Sequence, residues 1–233
     1  MKTAVIIAGG KSLRLLPLTS ERPKTLVEVA RKPILYWIIR WLKKYGIEHL
    51  VLAVAYKKEE IEKYMAANKN FGMQVDMSED PGAGTLPAYR LAIEKFVKDE
   101  DFIAMNSDEL TNMDLSKMIE KHKKYSPLVT MALSPFPCRF SVVNVKDDKV
   151  MGFEYGKKLP AVPVSIGIYV FNRKIIEHMA GTGSMEDVVF HKLAGKGSII
   201  AHMLTDGEEW CTINTVKDVE EAESSLKKWY SDA

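Results

Sequence analysis

The residues with the richest chemistry crowd near the amino terminus, in the stretch AGGKSLRLLPLTSERPKTL from Ala8 to Leu26. Gly9 and Gly10 lack a Cβ, so their backbone N–H groups can approach an anionic oxygen closely. Lys11 and Ser12 follow at once, and Arg14 and Lys24 add two cations on a segment stiffened by Pro17 and Pro23. A guanidinium forks onto two phosphate oxygens, whereas an ammonium offers a compact point charge. Taken singly, Gly-Gly is a common turn and a loop arginine is commonly solvated. Together they describe a cradle for phosphates. Neither familiar glycine loop fits. Gly10-Lys11-Ser12 spells the end of a Walker A loop, but the position five before Gly10 holds Val5 instead of glycine. A dinucleotide fingerprint needs more glycines, and none follows Gly10 until Gly46.

The elements that must position this loop read as an alternation. TAVIIA (3–8), HLVLAVA (49–55), MQVDM (73–77) and DFIAMN (101–106) have the apolar, β-rich character of strands buried on both faces. Between them, 33–46 reads as a helix with Pro33 in its first turn and Gly46 as its stop. Its apolar residues Ile34, Ile38, Trp41, Leu42 and Tyr45 recur at helical spacing. Residues 57–68 and 85–98 read as two further helices. Such β-α-β-α order implies a largely parallel sheet flanked by helices, with ligands at the carboxyl ends of its strands. After residue 127 the pattern is less regular. Strands are expected at PLVTMALS, SVVNVKD, KVMGFEY, VSIGIYVF and SIIAHML, with helices at SMEDVVFHKLAG and TVKDVEEAESSLKKWY. No linker or repeat divides the chain, so one domain is expected over 1–233, with halves at 1–126 and 127–233.

Composition narrows the function classes. The 33 basic and 31 acidic residues are mixed along the chain and leave a formal charge of +2. That balance gives no electrostatic reason to expect nucleic acid or a membrane as partner. Two cysteines, Cys138 and Cys211, make no disulfide framework. The chain shows no signal peptide and no apolar run long enough to span a bilayer, so a cytoplasmic protein is expected. The five histidines lack zinc spacing, and no G-x-S-x-G elbow exists.

The opening segment resembles the signature of the sugar-1-phosphate nucleotidyltransferases, approximately A-G-G-x-G-T-R-L-x-P-L-T-x-x-x-P-K-x-x-x-x-V-x-x-K-P-I. The chain matches it at Ala8-Gly9-Gly10, Arg14-Leu15, Pro17-Leu18-Thr19, Pro23-Lys24, Val29 and Lys32-Pro33-Ile34. It departs at Ser12 and Leu13, where the family usually has Gly-Thr. The resemblance implies a Rossmann-like three-layer α/β/α nucleotidyltransferase (GT-A-like) fold with a central mixed, mainly parallel sheet. It implies Mg2+-dependent transfer of a nucleotidyl group from a nucleoside triphosphate to a sugar-1-phosphate. Ala8, Gly9, Gly10, Lys11 and Ser12 would then lie on the nucleotide, with Arg14 and Lys24 gripping its phosphates.

Later segments carry the resemblance with decreasing fidelity. Asn106-Ser107-Asp108-Glu109-Leu110 looks like the family's N-G-D-x-L, which makes Asp108 the catalytic carboxylate and Mg2+ ligand; a turn cap is its plainer reading. Gly84-Thr85 resembles the family's G-T-A-G, at the nucleotide. Glu79 and Asp80 lie where relatives often read the base, although two loop acids are commonly just solvated. Gly167, in the segment similar to G-I-Y-V-F, would let the sugar approach the sheet; a β-bulge explains it equally. Glu186 matches a sugar-binding carboxylate, and capping with Ser184 is an adequate alternative. Where relatives have E-K-P, this chain has Glu154-Tyr155-Gly156 and then Lys157-Lys158, so either lysine would hold the sugar phosphate. The family's W-x-D-I-G-T reads Trp210-Cys211-Thr212-Ile213-Asn214-Thr215. Thr212 therefore replaces a metal-binding aspartate, and Asn214 offers only a carbonyl oxygen in its place. These departures motivate a second reading: a catalytically weakened homologue that binds nucleotide or NDP-sugar. Self-association is expected by analogy alone. The chain stops soon after its closing helix, so the β-helix domain of bifunctional relatives is not expected.

Overall fold

The structure, a computed structural model, describes residues 1–137, 141–155 and 158–230; the side chains of Pro137 and of residues 158–161 lie outside that description. From β1 (Thr3–Ile7) the chain runs through the cationic loop into a small hairpin, β2 (Glu28–Val29) with β3 (Lys32–Pro33). Its two turn residues, Ala30 and Arg31, both have positive φ (48° and 63°), as a tight two-residue hairpin requires. Then come α1 (Ile34–Lys44), β4 (His49–Val54), α2 (Lys58–Ala67), β5 (Gln74–Glu79), α3 (Thr85–Phe96) and β6 (Asp101–Asn106). The second half holds β7 (Glu109–Thr111), α4 (Leu115–Tyr125), β8 (Val129–Pro137), β9 (Val142–Lys146), β10 (Lys149–Glu154) and β11 (Lys158–Asn172). After a 3-10 turn at Arg173–His178 and a π turn at Glu186–Phe190 follow α5 (His191–Leu193), β12 (Ile199–Met203), β13 (Trp210–Thr212) and α6 (Val216–Trp229).

Seven strands make one sheet in the order β12-β8-β11-β6-β1-β4-β5. β1 pairs in parallel with β4 and β6, β4 with β5, and β8 with β12; only β11 runs against its neighbours β6 and β8. The chain leaves β1 toward β4 and β5, then crosses back to place β6 on the other side of β1. That reversal opens a crevice outside the carboxyl ends of β1 and β6, the place where open α/β sheets bind ligands. One face of the sheet, with Ala4, Ile6, Leu50 and Leu52, packs on α1, α2, α4 and α6. The other face, with Val5, Val51, Phe102 and Phe171, packs on α3 and the turns after β11. Helix, sheet and helix therefore form three layers, as the alternation in the first half implies.

α1 shows how the sequence fastens a layer. Its apolar stripe buries Ile34, Ile38, Trp41 and Leu42, while the indole N–H groups of Trp37 and Trp41 donate to Val29 O (2.9 Å) and Met113 O (3.0 Å). Burying an indole without such partners would forfeit the desolvation cost of each N–H, about 1–3 kcal/mol. Pro33 sits one position earlier than expected, at the N-cap, because it still belongs to β3.

Other differences from the sequence reading lie in the second half. β11 starts at Lys158, well before the expected Val164, and extends its ladder along β8 with breaks in register. The expected helix over SMEDVVFHKLAG begins as a π turn at Glu186. Its first residues are tied elsewhere: Met185 N donates to Thr85 Oγ1 (3.0 Å), and Tyr169 OH donates to Glu186 (2.9 Å). The short ladder of β7 with β13 has no periodic signal in three residues a side. No helix among the described residues is long and apolar enough to cross a membrane.

Candidate active site

Four side chains from distant parts of the chain meet outside the ends of β1 and β6. Lys24, on a 3-10 turn that follows Pro23, places its Nζ 2.5 Å from Asp108 Oδ2 and 3.1 Å from Asn214 Oδ1. Arg14 donates from its guanidinium to the same Asn214 Oδ1 at 3.1 Å. Arg14 is exposed, whereas Lys24 is nearly covered; its side chain is 10% exposed and that of Asp108 20%.

The backbone explains why these groups converge. Ser107 N donates to Ile7 O, which ties the Asp108 turn to β1. Ile213 N donates to Asp108 O (2.9 Å), which joins that turn to the segment carrying Asn214. Asn214 is held in turn by the start of α6. Its N–H and that of Thr215 both donate to Asp218 Oδ2, and Asp218 N returns a bond to Thr215 Oγ1, a capping box.

The amide of Asn214 is oriented by a polar relay that the sequence reading did not include. Glu109 accepts from Trp210 Nε1 (2.6 Å) and from Thr212 Oγ1 (3.3 Å). Because the Thr212 hydroxyl donates to Glu109, its lone pairs face Asn214, whose Nδ2 donates to Thr212 Oγ1 at 2.9 Å. The carbonyl end of Asn214 must then face Lys24 and Arg14. Burial, and next the charge of Asp108, push the Glu109 carboxyl well above the usual carboxylate range. The sequence offered one signal for this role: Glu109 directly follows Asp108. Its partners lie about a hundred residues away, however, and only the β7–β13 register, with Thr212 opposite Glu109, brings them together.

The loop after β1 lies beside this cluster. Ala8 N donates to Ala53 O and Tyr56 N to Gly9 O, which extends the sheet edge under the loop. No hydrogen bond to the N–H of Gly9 or Gly10 forms among the described residues, so both edges are available to an anion. Ser12 has φ 48° and ψ 61°, a left-handed conformation that explains why glycine suits this position. Its carbonyl accepts from Leu15 N and from Thr19 Oγ1, and these bonds hold the turn despite the strain. Lys11 is exposed and lies 5.9 Å from the Tyr56 ring centre.

A cavity of about 500 Å3 opens on the other side of the loop, lined by Gly9, Gly10, Lys11, Asp80, Gly84 and Thr85 among others. Gly84 has φ 98°, and a Cβ there would lie 2.2 Å from Gly183 O, so glycine is required by packing as well as by any ligand. Thr85 Oγ1 is engaged with Met185 N. Glu79, by contrast, is exposed and does not line the cavity. It shares a face of β5 with Val75 and Met77, whereas Asp80 lies across the strand.

The residues expected around the sugar are more scattered. Gly167 sits at a break in the β11–β8 register with φ 68°, and a Cβ there would lie 2.6 Å from Asn106 Nδ2. A bulge and close packing both account for that glycine. It lies against Glu109 Cγ as well, so it borders the cluster around Asp108. Glu186 accepts from Tyr169 OH (2.9 Å), and Ser184 bonds Asp187, so capping falls to Asp187 rather than Glu186. Glu154 lies on β10, in a two-stranded ladder apart from the main sheet, and its Oε1 accepts from Asn144 (2.8 Å). Lys157 and the Lys158 side chain lie outside the described residues.

The sequence pattern of the family described as Nucleotidyl transferase matches residues 3–228. The chain is 33% identical over 177 residues to a D-glycero-alpha-D-manno-heptose 1-phosphate guanylyltransferase of Aneurinibacillus thermoaerophilus, covering 75% of this chain and 76% of that one. It is 30% identical over 224 residues to a mannose-1-phosphate guanylyltransferase catalytic subunit beta of Xenopus tropicalis, covering 92% of this chain but only 62% of the other. In fold it is similar to HddC from Yersinia pseudotuberculosis, with a TM-score of 0.77 at 24% identity over 97% of this chain and all of that one. The crystal structure of a putative glucose-1-phosphate thymidylyltransferase from Bacillus anthracis also gives 0.77, at 19% identity over 97% of this chain and 95% of that one. A family pattern spanning nearly the whole chain, on a sheet whose switch point carries the expected cations and carboxylate, shows that this chain belongs to the nucleotidyl transferase family.

Proposed function

We propose that this protein transfers a nucleotidyl group from a nucleoside triphosphate to a sugar-1-phosphate, giving an NDP-sugar and pyrophosphate. The observation that carries the reading is the convergence of Arg14, Lys24, Asp108 and Asn214 beside the Gly9-Gly10 edge. The named relatives support it, since both guanylyltransferases act on sugar-1-phosphates by their names. In this reaction an oxygen of the sugar phosphate bonds to the α-phosphorus as the bond from that phosphorus to the bridging oxygen breaks. Pyrophosphate leaves with the electron pair. The attacking phosphate is already anionic at neutral pH, so no dedicated base is needed, and the protein's task is alignment and neutralisation.

Each residue has a role on this reading. The Gly9 and Gly10 amides, with Ala8, Lys11 and Ser12 around them, cradle the triphosphate, and Arg14 and Lys24 offset the charge that gathers on the leaving group. Gly84 and Thr85 border the nucleoside. The second half, 127–233, supplies the sugar side, with Gly167 and Glu186 near the ring and Glu154, Lys157 or Lys158 toward its phosphate.

The donor set fits Mg2+. Asp108 and Asn214 present hard oxygen ligands that already converge on one cation, the Lys24 ammonium. Mg2+ takes one or two such protein oxygens and fills the rest of its shell with water and phosphate. When bound, it would draw electron density from the α-phosphate oxygens. The protein's own contribution is to hold Asp108 and Asn214 in place through Ile213 and the α6 cap.

A second reading, binding without turnover, is motivated by Thr212, which leaves the site one carboxylate short of the family pattern. The deciding experiment incubates the protein with each nucleoside triphosphate, Mg2+ and a panel of sugar-1-phosphates, and measures pyrophosphate release. Release that depends on the sugar phosphate supports transfer. Nucleotide binding with no release across the panel supports the second reading. We further propose a cytoplasmic setting and self-association, the latter tested by the mass of the protein in solution.

A further inference from the structure

The loop that borders the nucleoside and the loop that carries Glu186 are fastened directly to each other. Gly183 N donates to Ala83 O (2.8 Å), Leu86 N donates to Gly183 O (3.0 Å), and Met185 N donates to Thr85 Oγ1 (3.0 Å). Glycines make the contact possible. Gly84 and Gly183 both have positive φ (98° and 114°), and a Cβ on Gly84 would meet Gly183 O. The start of α3 serves the same junction. The first N–H groups of a helix lack intrahelical partners and are free to take a ligand. Here Gly183 O takes that of Leu86, and Pro87, the third residue of α3, has none.

The bond from Met185 reaches the next residue, the exposed Glu186. Glu186 opens the π turn, a rare geometry that inserts one residue into a helical turn, re-aims its side chains and recurs at functional positions. Its Oε1 accepts from Tyr169 OH (2.9 Å). That tyrosine is fixed in its turn: it is buried, stacks on Phe171 with ring centres 5.4 Å apart, and packs at 5.1 Å on Phe190, the last residue of the same π turn. Because the Tyr169 proton goes to Glu186, its oxygen accepts from Ser165 Oγ (3.2 Å), which accepts from Gly167 N (3.4 Å). One carboxylate oxygen is therefore pinned through β11, and Thr85 pins the backbone one residue before it. The second oxygen makes no hydrogen bond among the described residues and is left to a ligand.

Building on the transfer reaction proposed above, we infer that Thr85 is a positioning residue for Glu186. Its backbone borders the nucleoside, but its hydroxyl holds the turn that aims this carboxylate at the sugar, so the acceptor side of the site is anchored on α3. The test compares the wild type with Thr85→Val, Thr85→Ser, Glu186→Gln and the double variant Thr85→Val/Glu186→Gln. Calorimetry follows the α,β-methylene analogue of each nucleoside triphosphate, which cannot be transferred, and then a panel of sugar-1-phosphates added to the loaded protein with Mg2+. Pyrophosphate release with the ordinary triphosphates gives kcat and both KM values. Thr85→Val keeps the side-chain shape and deletes the hydroxyl. It should weaken sugar-1-phosphate about tenfold and raise that KM, with nucleotide affinity within about twofold of wild type. Thr85→Ser should bind the sugar phosphate like the wild type. Glu186→Gln should weaken it to a similar degree, and the double variant no further, because both changes act on one contact. A hydroxyl that served only the fold would lower the thermal midpoint and both affinities together. Wild-type sugar affinity or an equal loss of nucleotide affinity in Thr85→Val, no restoration by Thr85→Ser, or fully additive losses in the double variant would each overturn the inference. Sugar-phosphate binding without pyrophosphate release would sink the transfer reaction alone and leave the positioning role standing. A wild type that binds no sugar-1-phosphate overturns both.

Discussion

Lys24 holds two jobs that compete. Without nucleotide its ammonium is shared between Asp108 and Asn214, and the nearly covered pair is stabilised by their mutual charge. In the proposed reaction the same ammonium must serve phosphate, so nucleotide binding has to exchange one anionic partner for another. Arg14 stands outside this exchange, exposed and held, among the described residues, through Asn214 Oδ1. Arg14→Ala should therefore lower kcat/KM by on the order of 10²-fold, the scale of losing one charge-stabilising donor, with little change in thermal midpoint. A wild-type rate in that variant removes the role. Ser12 gives an opposite prediction. It occupies a left-handed conformation that costs a non-glycine residue about 1 kcal/mol or more. Ser12→Gly should raise unfolding stability by about 0.5–1 kcal/mol after the glycine's extra chain entropy is subtracted. An unchanged or lower denaturant midpoint would show that the turn is not strained.

Among the elements, the three-residue pairing of β7 with β13 decides most about the site. It sets Thr212 opposite Glu109, so this chain carries a carboxyl on β7 at the register position where the family pattern carries one on β13. The space is already filled. Thr212→Asp alone should cost roughly 1–3 kcal/mol of stability, because it buries a second carboxyl beside Glu109 and removes the hydroxyl that bonds both Glu109 and Asn214. Adding Glu109→Gln to that variant should restore most of the loss, because the amide can donate to the new carboxylate. Equal stability of single and double variants, read from urea unfolding, would mean that the two side chains do not interact. The periodic patterns in the sequence could not reveal this ladder, since three residues a side carry no hydrophobic period. β5 shows a milder version of the same limit. Alternation separates Glu79 from Asp80, yet which face holds the cavity depends on where Gly9 emerges from β1.

For the whole molecule, the two layers that clamp the sheet also bury titratable groups. His122 on α4 lies under β8, with Nδ1 2.8 Å from Thr130 Oγ1 and Nε2 3.3 Å from Asp101 Oδ1. Burial lowers its pKa, and the Asp101 charge offsets this only in part. The unfolded chain thus binds more protons than the folded one once the pH falls below about 6.5. Stability is full above that value and is lost as the pH drops toward the folded pKa. Wild-type protein should therefore lose more stability between pH 7.5 and 5.5 than His122→Gln does; parallel losses would exclude the histidine as the cause. At this scale the division between sequence and structure is clearest. The sequence by itself determined the alternating layers and the glycine-and-cation loop, because local periodicity and fixed spacing are properties of short stretches. It could not determine that Lys24, Asp108 and Asn214 share one charge network, that Glu109 orients it, or that Asp80 rather than Glu79 enters the cavity. Those facts depend on strand order and register between segments far apart in the chain, and only the folded sheet supplies them.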